Sequence, residues 1–388
     1  SLFAMPVFAA DAVAPQVTGQ MAFESPKDNE LIIFHTNDTH GRLTGSIESS
    51  DAAAFSSAKL AGYVKTLRAL GHNVLLLDAG DAVHGKVSAN AFKGYSVINI
   101  MNAMGYDAMS VGNHEFDYGR ERAVQLAKYA KFPVLSANFT DEKGNLVFED
   151  MIVKEFDGFK VGICGLTTPE ATTKANPKFF VGYTFQDAVE TAKKCVEALK
   201  AQGCDYIIAL GHIGVDEESP VISHDIVDAV DGIDLFIDGH SHTTFEKGEQ
   251  RKNTLIVSTG EYLQKVGVVK VTFGPSKKAS AEAKLISSSD DFYALLPEDA
   301  TTKKILDYYT NYAKQLSEQV VGHATETLIG EREYVRKQQT NLGSLITDAM
   351  RIMTDADIAI TNGGGIRATI NAGPITYNDI LTVLPFGN

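Results

Sequence analysis

The chain has 388 residues, of which 44% are hydrophobic and 22% are charged. This is the composition of an ordinary globular protein rather than a disordered one, and the length favours two domains. The formal net charge of -14 excludes a protein that binds long nucleic acids, because contact with a phosphate backbone needs a basic surface. A small anion can still bind where metal ions or a few arginines reverse the charge locally.

The first residues have the pattern of the end of an export signal. Residues 1–10 read SLFAMPVFAA, and Val7 and Ala9 fit the -3 and -1 positions of a signal-peptidase site. Ala12 and Ala14 offer a second such site, and the alternative interpretation is a loose apolar arm. We interpret residues 1–30 as a signal-peptide remnant and an N-terminal arm, and we expect a periplasmic, secreted or cell-surface protein. No apolar run of about 18 residues follows, so the sequence predicts no membrane span.

Short β-rich runs alternate with amphipathic stretches from residue 31 to about residue 273. The predicted strands, in chain order, are 31–37, 73–80, 108–113, 132–138, 160–166, 206–212 and 235–240. Helical spacing of apolar residues falls between several of them, at 58–70, 123–130 and 185–202. The alternation predicts an α/β sandwich, and such sheets bind their ligands at the carboxyl ends of the strands.

The chain changes character after this region. A charged stretch at 297–319 is predicted to form a linker helix. The pattern then indicates a strand at 325–329, a helix at 342–353 and a strand at 357–360. This last region has about 65 residues, which is few for an independent domain.

The three cysteines do not suggest a disulfide framework, because their number is odd and small. Cys164 lies in an apolar run and is predicted to be a buried free thiol. Pairing between Cys195 and Cys204 remains open at this stage.

Polar residues follow the apolar runs in five places. The five clusters are Asp38-Thr39-His40, Gly80-Asp81, residues 112–117 (GNHEFD), Gly211-His212 and residues 239–242 (GHSH). A single histidine or aspartate at the end of a strand is more often a structural residue than a functional one. Five clusters at one sheet edge are hard to explain in that way, and they indicate a functional site.

These side chains suit two divalent metal ions about 3.5–4 Å apart. Carboxylate, imidazole and amide ligands together favour zinc, manganese, iron or cobalt over magnesium or calcium, and zinc, manganese and cobalt are the ions we expect. Two neighbouring cations need a shared anionic ligand, for which Asp81 is the candidate. The predicted ligands of one ion are Asp38, His40 and His242, and those of the other are Asn113, His212 and His240.

A predicted catalytic pair lies beside these ligands. His114 follows Asn113 and precedes Asp117 by three residues, so Asp117 can hold the imidazole and favour its protonated form. An imidazolium stabilises a phosphoryl oxygen or protonates a leaving group. The alternative interpretation of this pair is a helix N-terminal cap. We interpret Glu115 as structural.

The order and spacing of DTH (38–40), GDAVHG (80–85), GNHEFD (112–117) and GHSH (239–242) resemble the calcineurin-like metallophosphoesterases. Farther along the chain, TNLG (340–343), NGGGIR (362–367) and LPFGN (384–388) are similar to the second domain of the 5′-nucleotidase family. The resemblance extends over nearly the whole chain from residue 31.

The resemblance implies a four-layer αββα metallophosphoesterase sandwich at 31–290, a linker with a helix at 291–321, and the incomplete start of a smaller α+β substrate-binding domain at 322–388. It implies the same seven metal ligands and the catalytic pair. Some relatives have glutamine at the position of His242, which bears on metal preference. A second stacking phenylalanine of the family would fall beyond residue 388. The residues implied in substrate binding are Arg332, Arg336, Asn362, Gly364, Arg367 and Phe386.

We therefore expect a secreted hydrolase that releases phosphate from nucleoside 5′-monophosphates and related nucleotides. The nucleophile is a metal-bound water or hydroxide, because a divalent ion lowers the pKa of water to near neutrality. Alternatives are a UDP-sugar or dinucleotide pyrophosphatase, a 2′,3′-cyclic-nucleotide phosphodiesterase, a thiosulfohydrolase of sulfur oxidation, and a non-catalytic nucleotide-binding surface protein. Arg332, Arg336 and Phe386 favour nucleotides over a sulfur substrate. The intact ligand set, together with His114 and Asp117, argues against a non-catalytic protein.

Overall fold

The computed structural model describes residues 25–44 and 54–384. The predicted signal-peptidase positions and Phe386 lie outside the described residues. The chain divides into two compact units, Ser1–Tyr309 and Thr310–Asn388. None of the helices in the described ranges is long and apolar enough to cross a membrane.

The first unit alternates strands and helices along its length. Its strands are β1 (Glu30–Thr36), β2 (Asn73–Asp78), β3 (Ala108–Ser110), β4 (Val134–Leu135), β5 (Phe139–Asp141), β6 (Met151–Phe156), β7 (Phe159–Thr167), β8 (Tyr183–Phe185), β9 (Tyr206–His212), β10 (Leu235–Ile237), β11 (Glu249–Arg251), β12 (Thr254–Val257), β13 (Lys265–Phe273) and β14 (Ala279–Ser287). Its helices are α1 (Ser57–Ala69), α2 (Val87–Asn90), α3 (Tyr95–Met104), α4 (Arg120–Tyr129), α5 (Ala171–Lys174), α6 (Ala188–Ala201) and α7 (Ser223–Ala229). The helix α8 (Ala300–Ser317) contains the division between the units.

Two six-stranded sheets form the centre of this unit, with strand orders β14-β13-β1-β2-β3-β4 and β11-β12-β10-β9-β7-β6. The strands β1 to β4 are parallel to one another, and so are β7, β9, β10 and β12. Antiparallel strands are added at the edges. Because both sets of parallel strands run in one direction, their carboxyl ends share an edge within each sheet.

Alternation of side chains along the strands explains the layers. On β1, Leu31 and Ile33 belong to the apolar core that also contains Val161 and Ile208 of the second sheet, whereas Phe34 faces the opposite core with helix residues such as Leu60. Successive side chains of a strand point to opposite faces, so each central strand needs apolar residues on both. A third core lies between the second sheet and α6 and α7. The four-layer αββα sandwich is confirmed.

The second unit is smaller. It contains β15 (Val320–Ala324), α9 (Arg332–Val335), α10 (Asn341–Thr354), β16 (Gly373–Thr376) and α11 (Tyr377–Val383), and the two strands pair antiparallel. The predicted helix at 342–353 is present as α10, whose first turn is capped because the Thr340 hydroxyl accepts a hydrogen bond from the backbone N–H of Gly343 at 3.1 Å. Its apolar core contains Leu342, Ile346 and Ile375, among others.

Two strand predictions in this unit are wrong. Residues 325–329 form only an isolated bridge, between Leu328 and Ile370. The strand of this region is β15, which lies earlier in the chain. The apolar alternation at 357–360 forms no strand, and Ile358 and Ile360 are 76% and 87% exposed. A strand forms only where a partner completes its hydrogen bonds, and no described strand lies beside this segment.

Candidate active site

The predicted metal-ligating side chains all lie where parallel strands end. Asp38 and His40 follow β1, Asp81 follows β2, Asn113 follows β3, and His212 is the last residue of β9. His240 and His242 follow β10. The carboxyl edges of the two sheets therefore bring residues from five separate segments to one place, as the parallel topology requires.

The backbone is unusual at these positions. Positive φ angles occur at Asp38 (48°), His40 (44°), Asp81 (58°), His240 (79°) and His242 (53°). A left-handed conformation at a residue other than glycine costs on the order of 1–3 kcal/mol and persists only where the surrounding structure holds it. Strain concentrated at the predicted ligands indicates that these side chains must point in fixed directions.

The first group of ligands contains Asp38, His40 and His242, whose donor atoms lie within 4.8 Å of one another. The Nε2 atoms of His40 and His242 are 3.2 Å apart, and His242 Nε2 lies 3.4 Å from Asp38 Oδ1. Two imidazole nitrogens and a buried carboxylate oxygen facing one point form the donor set of a transition-metal site.

The second group contains Asp81, His212 and His240. His212 Nε2 lies 3.1 Å from Asp81 Oδ2 and 3.2 Å from Asn113 Oδ1. Asp81 also has a donor atom within 4.8 Å of His40, which belongs to the first group. Its carboxylate therefore lies between the two groups, where a shared ligand is expected.

Each of three imidazoles has one ring nitrogen fixed by a partner outside the two groups. The Nδ1 of His212 lies 2.7 Å from the carbonyl oxygen of Ala79, His240 Nε2 lies 2.9 Å from Glu170 Oε2, and His242 Nδ1 contacts Glu261 Oε2. The other nitrogen of each ring is thereby left for a cation, since such partners set the tautomer and orientation of a metal-binding histidine. Sequence analysis missed Glu170 and Glu261, because neither lies in a motif.

One buried carboxylate, that of Glu115, holds the loops that carry the predicted ligands. Glu115 accepts hydrogen bonds from the backbone N–H groups of Gly112 (2.6 Å), Asp81 (2.9 Å), Ala82 (2.8 Å) and Val83 (3.3 Å). The loops after β2 and β3 are thus joined by one side chain. Glu115 is structural, as the sequence analysis interpreted it.

The electrostatics of the second group fit a bound cation. Burial raises the pKa of Asp81, but the nearby His212 and His114 outweigh burial and hold that pKa well below its usual range. Burial conversely lowers the pKa of His212, and Asp81 raises it to about 10. The buried carboxylate therefore demands positive charge, which either protons on the imidazoles or divalent ions in their place can supply. The donor set fits the metal ions that the sequence predicts.

His114 and Asp117 are in direct contact, with 2.6 Å between His114 Nδ1 and Asp117 Oδ2. Burial lowers the pKa of His114, but Asp81 and the hydrogen bond to Asp117 outweigh burial and raise that pKa to about 9. The backbone N–H of His114 also donates to Asp81 Oδ1 at 2.7 Å. Because Nδ1 faces Asp117, Nε2 is the nitrogen left to act on a substrate.

The predicted substrate-binding residues of the second unit form a smaller group. Arg332 and Arg336 are exposed and line the same surface hollow at α9. Arg367 donates from Nη1 to the carbonyl oxygen of Gly364 at 3.3 Å. A Cβ atom on Gly364 would lie 3.7 Å from the Arg336 guanidinium and 3.2 Å from the Asn362 amide nitrogen. Arg336, Asn362, Gly364 and Arg367 therefore lie together.

Two family models match this chain. The calcineurin-like phosphoesterase family model matches residues 31–244, and the 5′-nucleotidase C-terminal domain model matches residues 320–388. With the sandwich and the imidazole–carboxylate groups, these matches define a metal-dependent phosphoester hydrolase.

Individual relatives give the family more closely. The chain is 34% identical over 415 residues to the trifunctional nucleotide phosphoesterase protein YfkN of Bacillus subtilis (strain 168), covering 94% of this chain and 27% of that protein. It is 32% identical to the 5′-nucleotidase of Mus musculus, covering 98% of this chain and 71% of that protein. The crystal structure of the 5′-nucleotidase precursor from Thermus thermophilus superposes with a TM-score of 0.66 at 33% identity, covering 92% of this chain and 74% of that one. The chain belongs to the 5′-nucleotidase family.

Proposed function

We propose that this chain releases phosphate from nucleoside 5′-monophosphates and related nucleotides, using two divalent ions from among zinc, manganese and cobalt. The observation that carries the proposal is the position of Asp81 between two groups of imidazole and carboxylate donors. Two ions held on one carboxylate suit the in-line displacement of a phosphoester, in which both the attacking and the leaving oxygen need stabilisation.

The chain's own residues would divide the work as follows. One ion would be held by Asp38, His40 and His242, and the other by Asn113, His212 and His240. Asp81 would be shared between the two ions. When bound, the ions supply Lewis acidity and a water molecule whose pKa is near neutrality. His212, His240 and His242 each present one nitrogen because the other is held by Ala79, Glu170 or Glu261. The ligands therefore need little reorganisation when the ions bind.

His114 would act on the phosphoryl group with Nε2. The Asp117 carboxylate fixes the orientation of the ring through Nδ1 and favours its protonated form. A positioned imidazolium stabilises charge that develops on a phosphoryl oxygen or protonates the leaving oxygen. Stabilisation of that charge favours a phosphate ester over an uncharged substrate.

We further propose that the second unit recognises the nucleotide. Arg332, Arg336 and Arg367 supply guanidinium groups, which bind phosphate oxygens through paired hydrogen bonds. Asn362 and Gly364 belong to the same cluster of residues as Arg336 and Arg367. The absence of a side chain at Gly364 leaves room beside the Arg336 guanidinium. Phe386 would stack on the base.

The residues before 15 support a periplasmic, secreted or cell-surface location for this enzyme. Their apolar, small-residue pattern is that of an export signal. N-terminal sequencing of protein recovered from the cell exterior or periplasm checks this proposal. A mature protein that retains residues 1–14 in the cytoplasm contradicts it.

The test of the activity is a substrate panel at fixed metal concentrations. We expect phosphate release from AMP in the presence of manganese, cobalt or zinc, with loss of activity on addition of EDTA and recovery on return of the metal. UDP-glucose, 2′,3′-cyclic AMP and p-nitrophenyl phosphate complete the panel. If kcat/KM for UDP-glucose or for the cyclic nucleotide exceeds kcat/KM for AMP, that compound is the preferred substrate instead of a monophosphate. Turnover of AMP that survives chelation contradicts the two-metal site.

A further inference from the structure

His84, in the first unit, has no role in the proposed reaction. It lies three residues after Asp81, in the loop that follows β2, and its Nδ1 is 3.2 Å from Asp117 Oδ2. That oxygen is the same one that His114 Nδ1 contacts at 2.6 Å. Asp117 therefore has two imidazoles on a single carboxylate oxygen.

The two rings are arranged in parallel. The His84 and His114 ring planes differ by 7°, and their centroids are 5.7 Å apart. Because both Nδ1 atoms turn toward Asp117, the three side chains each offer a ligand atom within 4.8 Å of the other two.

Two imidazoles and one carboxylate are the donor set of a zinc site with three protein ligands and an open fourth position. Zinc–nitrogen and zinc–oxygen bonds are about 2.0–2.2 Å long, so the ligands of one ion lie within about 4 Å of one another. Movements of about an ångström bring these three side chains to that spacing. Magnesium and calcium prefer oxygen ligands and would bind poorly here.

An ion can reach this group from solvent. The side chains of His84, His114 and Asp117 are 15%, 32% and 18% exposed. The protein's net charge of -14 also raises the concentration of cations near its surface. The group thus differs from the buried second metal group, whose His212 side chain is fully covered.

We propose that His84, His114 and Asp117 form a third cation site that takes Zn²⁺ once the two-ion cluster is filled. An ion bound to His114 Nδ1 replaces the hydrogen bond between that nitrogen and Asp117. The imidazole that acts on the phosphoryl group is then a neutral ligand of zinc, so its Nε2 no longer carries a readily transferable proton. Excess zinc therefore inhibits the enzyme through a site distinct from the two catalytic ions. The inhibition rests on the proposed role of His114, whereas the binding does not.

The binding test counts metal ions directly. The purified protein is dialysed against increasing concentrations of Zn²⁺, and bound zinc per chain is measured by elemental analysis. We expect a wild-type maximum of three ions and a maximum of two in His84→Asn and in His84→Gln. His323→Asn, which removes an exposed histidine on β15, controls for loose binding to surface imidazoles and should keep three. Circular dichroism and the Tm confirm that each variant is folded.

The activity test uses p-nitrophenyl phosphate, so that nucleotide recognition does not enter. Zinc above the concentration that fills the two-ion cluster should lower the wild-type turnover at least about 10-fold, the scale expected when one general acid is withdrawn. In His84→Asn the same zinc should change the variant's own rate by less than about twofold, because the third site lacks a ligand.

The outcomes separate the two proposals. A wild-type maximum of two zinc ions, or three ions in both His84 variants, overturns the third site and leaves the two-ion cluster intact. In that case His84 only orients Asp117. A wild-type maximum of one ion or none contradicts the two-ion cluster itself, and the third site falls with it.

Discussion

At the scale of single residues, the site depends on which nitrogen of each ring is free. His240 and His242 follow one another closely in the chain, yet opposite nitrogens are held: Nε2 of His240 by Glu170 and Nδ1 of His242 by Glu261. These two histidines, which lie two residues apart on one loop, thus present different ring atoms to the two metal groups. The position of the partner carboxylate decides which nitrogen of each ring is held.

Removing Glu170 should weaken the metal group that contains His240. Glu170→Ala is expected to lower the affinity for the ion of this group about 10- to 100-fold, the usual effect of removing the carboxylate behind a metal-binding histidine. Isothermal titration of the metal-free protein with Mn²⁺ measures this. Glu282→Ala, at an exposed position on β14, is the control and should leave both affinities unchanged. Equal affinities in Glu170→Ala and wild type would show that Glu170 does not position His240.

Asp81→Asn should remove most of the activity and weaken both ions. The amide keeps the size of the side chain but carries no negative charge to offset the repulsion between two cations. Metal analysis after dialysis and turnover of p-nitrophenyl phosphate are the measurements. Two tightly bound ions with normal turnover in this variant would exclude Asp81 as the shared ligand.

His114→Ala should keep two ions but lose turnover by about 10²–10³-fold, the scale of one charge-stabilising or acid group. The prediction needs a metal count, because His114 has a donor atom within 4.8 Å of His40 and Asp81. A fall in metal content that parallels the fall in rate would make His114 a ligand instead. His323→Ala, at an exposed position in the second unit, is the matched control.

At the scale of elements, the loops after β2 and β3 are held by one buried side chain. Glu115 accepts hydrogen bonds from four backbone N–H groups, of which three follow β2 and one follows β3. Glycine at 112 permits this approach, because a Cβ atom there would lie 2.3 Å from Asp81 Oδ1. The ligand loops therefore form one assembly with the ends of the strands.

Glu115→Ala should destabilise the protein strongly, because it leaves several buried N–H groups without a partner. Each unsatisfied group costs about 1–3 kcal/mol, partly recovered where water enters, so we expect a loss of several kcal/mol in the free energy of unfolding. Urea denaturation of the metal-free protein measures the change. Glu121→Ala, at an exposed position on α4, should change it by less than about 0.5 kcal/mol. A small effect at Glu115 would mean that the loops hold their shape without it.

At the scale of the whole molecule, the fold brings buried carboxylates and imidazoles together where the two sheets end. Asp38, Asp81 and His212 are buried at this edge, and their charges need compensation that apolar packing cannot give. Ions that bind the folded chain and not the unfolded one must raise its stability by mass action.

Metal binding should therefore raise the Tm. We expect the Tm of the EDTA-treated protein to rise by several degrees as Mn²⁺ is added, since about 1 kcal/mol corresponds to roughly 2–4 °C in a domain of 150–250 residues. Differential scanning calorimetry at a series of metal concentrations measures the rise. Asp81→Asn should show a smaller rise at each concentration. A Tm independent of metal in the wild type contradicts binding at a folded site.

Much of this protein was determined by its sequence alone. Continuous apolar runs predicted seven of the eight parallel strands, because each is buried on both faces and must be apolar throughout. The eighth, β12, has only four residues and was not predicted. The seven predicted metal ligands come together because each stands at or beyond the carboxyl end of such a strand, so one rule of topology places them at one edge. The edge strands β11 and β14 were missed, since their patterns are short or half polar. The strand predicted at 357–360 was wrong because a partner, rather than local pattern, decides whether a strand forms.

Only the tertiary structure decided what holds the ligands in place. Glu170 lies 70 residues from His240 along the chain, and Glu261 lies outside every motif, so no local spacing connects them with the metal groups. The same is true of His84, whose contact with Asp117 exists because the loops after β2 and β3 meet at one sheet edge. Sequence patterns report the local periodicity of strands and helices. The partner of a side chain is set by the packing of distant segments, which local periodicity does not contain.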